Sequence, residues 1–132
     1  MGSARAACRP LESQGLPRPS RIRLGSEIRT LLRKGRRARS SHLDVFTAQA
    51  PQDIPRFGTV VPRHGRKVVA RNQLRRRLRE IGRVEVLPRL SRGGCNVDVL
   101  VRSRPQAYDA RFAELRAELL RVTERLCSDT SF

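Results

Sequence analysis

The sequence has little of what a membrane protein requires. It contains no tryptophan and only four phenylalanines, whereas a basic helix lying on a membrane usually inserts aromatic or leucine side chains. No run approaches the roughly 18 apolar residues of a membrane span, and the first 20 residues lack the apolar core of a secretory signal. We therefore expect a soluble, cytoplasmic protein with no membrane partner.

Cysteine is also sparse. Cys8, Cys95 and Cys127 are far apart, odd in number and include no C-x-x-C pair, so neither a zinc site nor a disulfide framework is indicated. We expect unpaired thiols in a reducing compartment.

The residue patterns of common active sites are missing. There are no paired carboxylates, no Ser/His/Asp arrangement and no nucleotide-binding loop, and His42 and His64 are expected to be polar or phosphate-contacting residues rather than general bases. The sequence therefore predicts no catalytic residue, no metal site of its own and no small-molecule substrate.

Acidic residues are few. The 132 residues include 29 Lys and Arg against 12 Asp and Glu, a formal net charge of +17. Such a charge destabilises a compact fold by self-repulsion unless a polyanion neutralises it, and a nucleic acid is the obvious partner. All but two of the basic residues are arginine, whose planar fork suits phosphate, although a genome rich in G and C would produce the same bias.

The length suits one domain, which we place at residues 21–127. Residues 1–20 mix Gly, Ser, Ala and Pro without apolar periodicity and are expected to be a disordered tail; residues 128–132 are expected to be a short C-terminal tail. The first 20 residues faintly resemble a mitochondrial transit peptide, but a mis-assigned start codon or a solvated basic arm is the preferred explanation.

Apolar spacing predicts a helix and two strands in the first half of this domain. The helix is expected to have Ser26 as its N-cap and to stop at Gly35. Residues 42–47 and 56–61 have strand character and are expected to pair as a hairpin, with Phe46 on a face of the sheet that is not part of the core.

From residue 67 to residue 86 the pattern becomes helical. The apolar stripe of this helix consists of Ala70, Leu74, Leu78 and Ile81. The opposite sector consists of Asn72, Arg75, Arg76, Arg79 and Arg83. Pro88 and the following glycines are expected to break the chain, residues 96–102 alternate as a strand, and Asp109 is expected to cap a last helix with apolar residues every three or four positions.

Basic residues are concentrated in one segment. Between Arg56 and Arg83 lie ten Lys and Arg residues and one acid, Glu80. A solvated helix face usually interleaves acids one turn from bases, and here only Glu80 relieves the repulsion, against Arg76 and Arg83. Phosphate groups would offset that repulsion, so the segment is predicted to bind RNA or DNA.

The order of residues from Val68 to Glu80 is more specific than charge. It resembles the signature of the protein subunit of bacterial ribonuclease P, in which an Arg-Asn-Arg triplet opens a helix that continues as Lys-Arg, an apolar residue and Arg-Glu. The matching residues are Arg71, Asn72, Arg75, Arg76, Arg79 and Glu80. The likeness covers about residues 21–127, with residues 28–35 as the family's first helix and residues 42–47 as its first strand.

Departures from the family pattern bear on binding. Gln73 stands where the triplet usually has a second basic residue. At the end of the preceding strand, which is usually rich in Lys, only Arg63 and His64 remain. Ile28 and Leu32 occupy first-helix positions where the family tends to place aromatics over a central cleft, which leaves a single aromatic there.

The resemblance implies an α+β fold in the order αβββαβα. About four strands would form a sheet packed with helices, with a parallel βαβ crossover of the left-handed sense where ordinary topology favours the right-handed one. It further implies an accessory subunit of an endoribonuclease. The catalytic RNA subunit of ribonuclease P would remove the 5′ leader of precursor tRNA with Mg²⁺ held through the RNA, and the protein alone would bind no cofactor.

The resemblance and the charge pattern together select two sets of residues. The predicted RNA-binding residues are Arg63, His64, Lys67, Arg71, Asn72, Gln73, Arg75, Arg76, Arg79 and Arg83. The predicted leader-binding cleft consists of Ile28, Leu32 and Phe46.

Other functions stay open on the residues alone. A ribosomal or other structural RNA-binding protein would have a similar charge. A helix-turn-helix DNA regulator would also use a basic helix, but no apolar-faced helix joined by a turn of about three or four residues precedes residue 67. An independent protein nuclease is the least supported.

Overall fold

The computed structural model describes residues 21–22, 25–51 and 54–128. Their elements, in chain order, are α1 (Gly25–Lys34), β1 (Arg36–Arg39), β2 (Leu43–Gln49), β3 (Arg56–Val60), α2 (Val68–Ile81), a π-helical turn (Gly82–Val86), α3 (Leu87–Arg92), β4 (Val97–Ser103), a 3₁₀ turn (Pro105–Asp109) and α4 (Phe112–Ser128). The tail expected at residues 1–20 lies outside the described residues, as does the C-terminal one except for Ser128, which ends α4.

The four strands form one mixed sheet in the order β1-β2-β4-β3. β2 pairs antiparallel with both β1 and β4, while β3 runs parallel to β4. The connection between these parallel strands passes through α2, the π turn and α3. The predicted α+β class and the four-stranded sheet with its helices are therefore confirmed.

Two of the strand predictions are wrong. The first strand is β1 rather than residues 42–47; three of its four residues are arginine, and a short charged edge strand shows no apolar alternation. The predicted hairpin between β2 and β3 is also absent, since β4 lies between them and β2 forms its hairpin with β1. β4 is an interior strand beside β2, and it is buried on both faces.

Both faces of the sheet are apolar. One face packs against α2, α3 and α4 and forms the larger core, which includes Leu43, Phe57 and Val99. On the other face, Phe46 and Leu100 pack with Ile22 and with Leu31 of α1. The prediction that the Phe46 face lies outside the core is therefore wrong: Phe46 is 3% exposed because α1 folds back over it.

Two predicted N-caps are not used. α1 begins at Gly25, so Ser26 lies inside its first turn, where its carbonyl accepts a hydrogen bond from the Thr30 hydroxyl at 2.9 Å. Asp109 ends the 3₁₀ turn instead of capping α4, and its carboxylate pairs with Arg66 at 3.1 Å. At the start of α4, the Glu114 carboxylate accepts a hydrogen bond from the backbone N–H of residue 111, which satisfies one of the free donors there.

Glycine ends helices where predicted, but proline does not. Gly35 follows α1 and Gly93 follows α3. Pro88 lies in the first turn of α3, where a residue without an N–H loses no helical hydrogen bond. The preceding π turn allows a proline at this position, because the hydrogen-bond pattern changes there: the Leu87 N–H donates to the carbonyl of Gly82, five residues back.

Two of the cysteines are described, and both are free thiols as predicted. Burial, together with a hydrogen bond and the nearby charge of Cys95, raises the pKa of Cys127 to about 11. A thiol with that pKa stays protonated at neutral pH, which makes it a poor nucleophile and metal ligand. Cys8 lies outside the described residues.

Gly82 is where the long crossover meets the sheet. A Cβ at this position would lie 2.5 Å from two ring carbons of Phe57, which is fully buried. Gly82→Ala is therefore expected to lower the free energy of unfolding by roughly 1–3 kcal/mol through overpacking, as measured by urea denaturation. Gly25→Ala is the control, since its Cβ would contact only the end of the Arg29 side chain, at 3.3 Å. An equal loss in both variants would contradict the role of the Phe57 contact.

Candidate nucleic-acid interface

The apolar side of α2 faces the sheet and fixes where its arginines point. Leu74, Leu78 and Ile81 are buried in the larger core, as the sequence predicts, while Ala70 is only half-buried. In the opposite sector Asn72, Arg76 and Arg79 are exposed, whereas Arg75 and Arg83 are half-buried, so three of the five residues predicted for the basic face lie at the surface.

One basic stripe runs along the edge of β3. Arg71, Arg75 and Arg79 follow each other at intervals of four residues, one helical turn apart. The Arg71 Nε donates to the carbonyl of Val61 at 2.7 Å, which ties the start of α2 to the end of β3. Burial, and then the charges of Arg71 and Arg79, lower the pKa of Arg75. A bound anion would relieve this repulsion.

A groove of about 340 Å³ lies between this stripe and the sheet. Its lining consists of Arg21, Ile22, Phe57, Gly58, Thr59, Arg75 and Arg79. Three of these described lining residues are arginine and none is acidic. Because one guanidinium group can bind two phosphate oxygens at once, the groove is suited to an RNA phosphate. Arg21 was not among the residues predicted from the sequence, since it lies outside the helical pattern.

On the outer side of α2, Asn72, Gln73 and Arg76 are exposed, whereas Arg83, in the π turn, has a side chain that is only 20% exposed. Arg83 pairs with Glu80 at 2.8 Å, whereas Arg76 has no acidic partner within the described part of the chain, so only one of the two ion pairs expected for Glu80 forms. The side-chain amide oxygen Oδ1 of Asn72 accepts a hydrogen bond from the Arg75 guanidinium at 3.4 Å. Gln73 is exposed beside it.

The loop before α2 adds the remaining predicted RNA-binding residues. Arg63, His64 and Lys67 are all exposed. His64 has a φ of 48°, a left-handed conformation that is uncommon outside glycine, and its ring lies edge-on to Tyr108, which donates a hydrogen bond to the Pro62 carbonyl at 2.6 Å. The loop therefore has a defined shape at the start of the basic helix.

The predicted leader-binding residues meet on the other face of the sheet. Ile28 and Leu32 are half-buried and pack against the cluster that contains Phe46. The guanidinium groups of Arg37 and Arg102 lie over the Phe46 ring, 5.9 and 5.2 Å from its centre. The surface offered to a ligand is therefore guanidinium rather than aromatic, which sequence patterns alone do not reveal because these two arginines lie on different strands.

His42 belongs to a structural network. Its ring nitrogen Nδ1 and its backbone N–H both contact the Glu118 carboxylate, which also accepts a hydrogen bond from the Ser40 hydroxyl. Burial opposes ionisation of Glu118, but the hydrogen bonds from Ser40 and His42 outweigh it and lower the pKa of that carboxyl. The network joins the turn between β1 and β2 to α4.

Two features are absent from the residues that the structure describes. Among them, no group of three or more His, Cys, Asp and Glu side chains is placed to hold a metal ion. None of the helices there combines the length and the apolar character needed to cross a membrane.

Comparison with known proteins places this basic α+β domain in a family. The sequence pattern of the family described as Ribonuclease P matches residues 16–127. The ribonuclease P protein component of Acidothermus cellulolyticus is 38% identical over 115 residues, which are 84% of this chain and 91% of that protein. The corresponding protein of Rhodococcus jostii is 37% identical over 120 residues, with 81% and 91% covered.

Solved structures agree with this assignment. The RNase P protein from Thermotoga maritima superimposes with a TM-score of 0.67 at 25% identity, over 80% of this chain and 96% of that one. The Staphylococcus aureus RNase P protein gives a TM-score of 0.65 at 22% identity, over 80% and 94%, and shows the same fold. The fold and the basic crossover helix define a small, basic α+β protein. The chain belongs to the ribonuclease P protein family, whose general function is RNA binding in precursor-tRNA processing.

The exposed arginines of α2 allow a test of the interface. Each phosphate contact contributes about 0.7 to 0.9 to the slope of log affinity against log salt. Replacing Arg76 and Arg79 together by Ala is expected to flatten that slope by roughly one to two units, measured with a bacterial ribonuclease P RNA, while the fold persists. The control is the pair Arg121→Ala and Arg125→Ala on α4, which removes the same charge from another exposed helix face. The same flattening in both pairs would indicate that net charge, and not α2, determines binding.

Proposed function

We propose that this chain is the protein subunit of a cytoplasmic ribonuclease P. It binds the catalytic RNA subunit and the 5′ leader of precursor tRNA, and the RNA subunit removes the leader to produce the mature 5′ end. The observation that carries the proposal is the family's basic helix, α2, whose arginines face solvent and a groove lined by three arginines.

The α2 surface is assigned to the RNA subunit. Its residues make a continuous basic surface from the loop at Arg63 to Arg83, in which Glu80 is paired with Arg83. Such a surface suits the closely spaced phosphates of a folded RNA, because contacts to the backbone fix position without reading sequence.

The part of the sheet face beside α1, where the side chains of Arg37 and Arg102 are exposed, is assigned to the leader. A single strand is bound by a basic groove together with planar or apolar groups on which bases rest. Ile28 and Leu32 supply apolar groups at the side of this face, and the guanidinium planes above Phe46 supply both charge and a stacking surface.

In this proposal the protein contributes binding and not chemistry. Holding the substrate in position makes the reaction of a bound complex effectively intramolecular, and arginines that neutralise phosphates lower the amount of Mg²⁺ that a crowded polyanion needs. Mg²⁺ is held through the RNA, and no cofactor is assigned to the protein alone.

Reconstitution tests this function directly. The chain is mixed with a bacterial ribonuclease P RNA at low Mg²⁺, and cleavage of a precursor tRNA is followed by gel electrophoresis. The expected result is a large increase in turnover over the RNA alone, which shrinks as Mg²⁺ is raised, and no cleavage by the protein alone. Cleavage without RNA would identify a protein nuclease, and RNA binding without any gain in turnover would identify a structural RNA-binding protein; either would overturn the proposal.

Glu80 provides a test of whether the protein contributes only binding while the RNA subunit performs the chemistry. Its carboxylate pairs with Arg83 on the surface of α2, so we expect it to orient that arginine and not to take part in bond cleavage. Glu80→Gln should lower turnover only modestly, and the deficit should shrink as Mg²⁺ is raised. Arg83→Gln, which removes the other half of the pair, should behave similarly. Loss of turnover in Glu80→Gln at saturating Mg²⁺ would instead place this carboxylate at the reacting phosphate.

A further inference from the structure

Three arginines from two strands converge on one buried carboxylate. Asp44 on β2 is 4% exposed. Its oxygens lie 3.4 Å from Nη2 of Arg37, 3.4 Å from Nε of Arg39 and 3.2 Å from Nη2 of Arg102. We call Arg37, Arg39 and Arg102 the arginine cluster.

The register of the sheet explains this convergence. Arg39 on β1 and Arg102 on β4 are the direct cross-strand neighbours of Asp44 on its two sides. Arg37 lies opposite Phe46, two residues along each strand, and so shares the same face of the sheet. The three side chains are therefore placed by strand pairing and not by chance contact at a flexible surface.

Asp44 holds these arginines without neutralising them. One negative charge faces three positive charges, and the contacts are at the long end of hydrogen-bond range because a single carboxylate is shared. A guanidinium group has five N–H donors, and the side chains of Arg37, Arg39 and Arg102 remain 43%, 58% and 36% exposed. Donors are therefore left over on the solvent side of the cluster.

The cluster is also ordered from below. Arg37 and Arg102 lie over the ring of Phe46, and cation–π attraction helps to hold a guanidinium group over such a ring. A site whose side chains are already held in place loses less conformational entropy on binding. The arrangement is that of a preformed anion site.

The position of the cluster separates it from α2. β1 is one edge of the sheet, while α2 packs beside β3 at the other edge. The cluster shares its face with Phe46, against which Ile28 and Leu32 pack, and not with the α2 stripe. A ligand of the cluster is therefore expected to be a single-stranded nucleic acid that lies across this face of the sheet.

We propose that the arginine cluster binds a phosphodiester of single-stranded RNA, and that Asp44 is the positioning residue that holds it ready. Arginine forks suit the two free oxygens of a phosphodiester. The inference rests on the proposed function in one respect: the single strand is then the 5′ leader of precursor tRNA.

If Asp44 assists RNA binding, its removal should change the RNA affinity in the opposite direction to that expected from net charge alone. Asp44→Asn raises the net charge of the protein by one, and if charge alone mattered, RNA would bind more tightly. If Asp44 positions the cluster, the affinity falls in spite of the added charge. Asp109→Asn is the matched control, because it also adds one charge and removes the partner of an arginine, Arg66, but at an exposed pair.

The experiment uses the chain reconstituted with a bacterial ribonuclease P RNA. The dissociation constant is measured for precursor tRNA, for mature tRNA and for precursors with one uncharged methylphosphonate at successive leader positions. We expect the wild type to lose affinity at one or two leader positions. Asp44→Asn should weaken precursor binding roughly tenfold, leave mature tRNA binding unchanged and no longer respond to methylphosphonate at those positions, while Asp109→Asn should bind at least as tightly as the wild type.

A second variant covers the case in which Asp44→Asn does not fold. Arg39→Gln removes the most exposed member of the cluster, which does not lie on the Phe46 ring, and leaves two arginines on Asp44. It should fold with an unchanged melting temperature and show the same leader-specific loss. Equal losses for precursor and mature tRNA, or an Asp44→Asn variant that binds as tightly as Asp109→Asn, would overturn the inference.

The outcome also distinguishes this inference from the proposed function. If the wild type does not stimulate cleavage, the proposed function fails. The cluster is then judged from binding of a short single-stranded RNA to the protein alone, where Asp44→Asn must still be weaker than Asp109→Asn. If the wild type stimulates cleavage and the variants lose nothing specific to the leader, only the cluster assignment fails.

Discussion

The shortage of negative charge constrains this fold more than any other feature. With 12 acids for 29 bases, described carboxylates are shared between arginines: Asp44 contacts three, and Glu85 contacts two, on α3 and α4. Each shared acid lies where elements meet, so the acids serve to join strands and helices. The positive charge that remains includes the exposed arginines of α2 and of the β1 edge, where an anionic partner would relieve the repulsion.

Arg56 shows the reverse arrangement, one arginine shared between two acids, and it fixes the position of the predicted leader-binding cleft. Its side chain is only 12% exposed and lies between two acids, with Asp98 at 2.7 Å and Glu27 at 3.2 Å. The hydrogen bond to Asp98 is the main cause that raises the pKa of Arg56, with burial acting against it. Because Glu27 belongs to α1 and Asp98 to β4, this one side chain holds α1 against the sheet. The apolar positions Ile28 and Leu32 on the same helix are thereby placed beside Phe46.

The sequence could predict those features that depend on local spacing. The core stripe of α2 and the alternation of β4 follow from residues within a few positions of each other. β1 could not be found in this way, because only Ala38 of its four residues packs against the core. Strand pairing and the arginines above Phe46 were also beyond local patterns, since they depend on β1 pairing with β2 and on β4 entering between β2 and β3. The N-cap expected at Asp109 failed because a 3₁₀ turn ends at Asp109 and α4 begins only at Phe112.

The two basic surfaces lie at opposite edges of one sheet. α2 is tied to β3 through Arg71 and through the contact of Gly82 with Phe57, and the arginine cluster is tied to β2 and β4 through Asp44. Neither surface can move without breaking buried contacts, so the distance between them is set by the width of the sheet. If the catalytic RNA holds one edge and the leader crosses the other, the protein aligns the two by geometry. Because proximity and orientation can account for much of a rate enhancement, such a protein has no need of a reactive side chain.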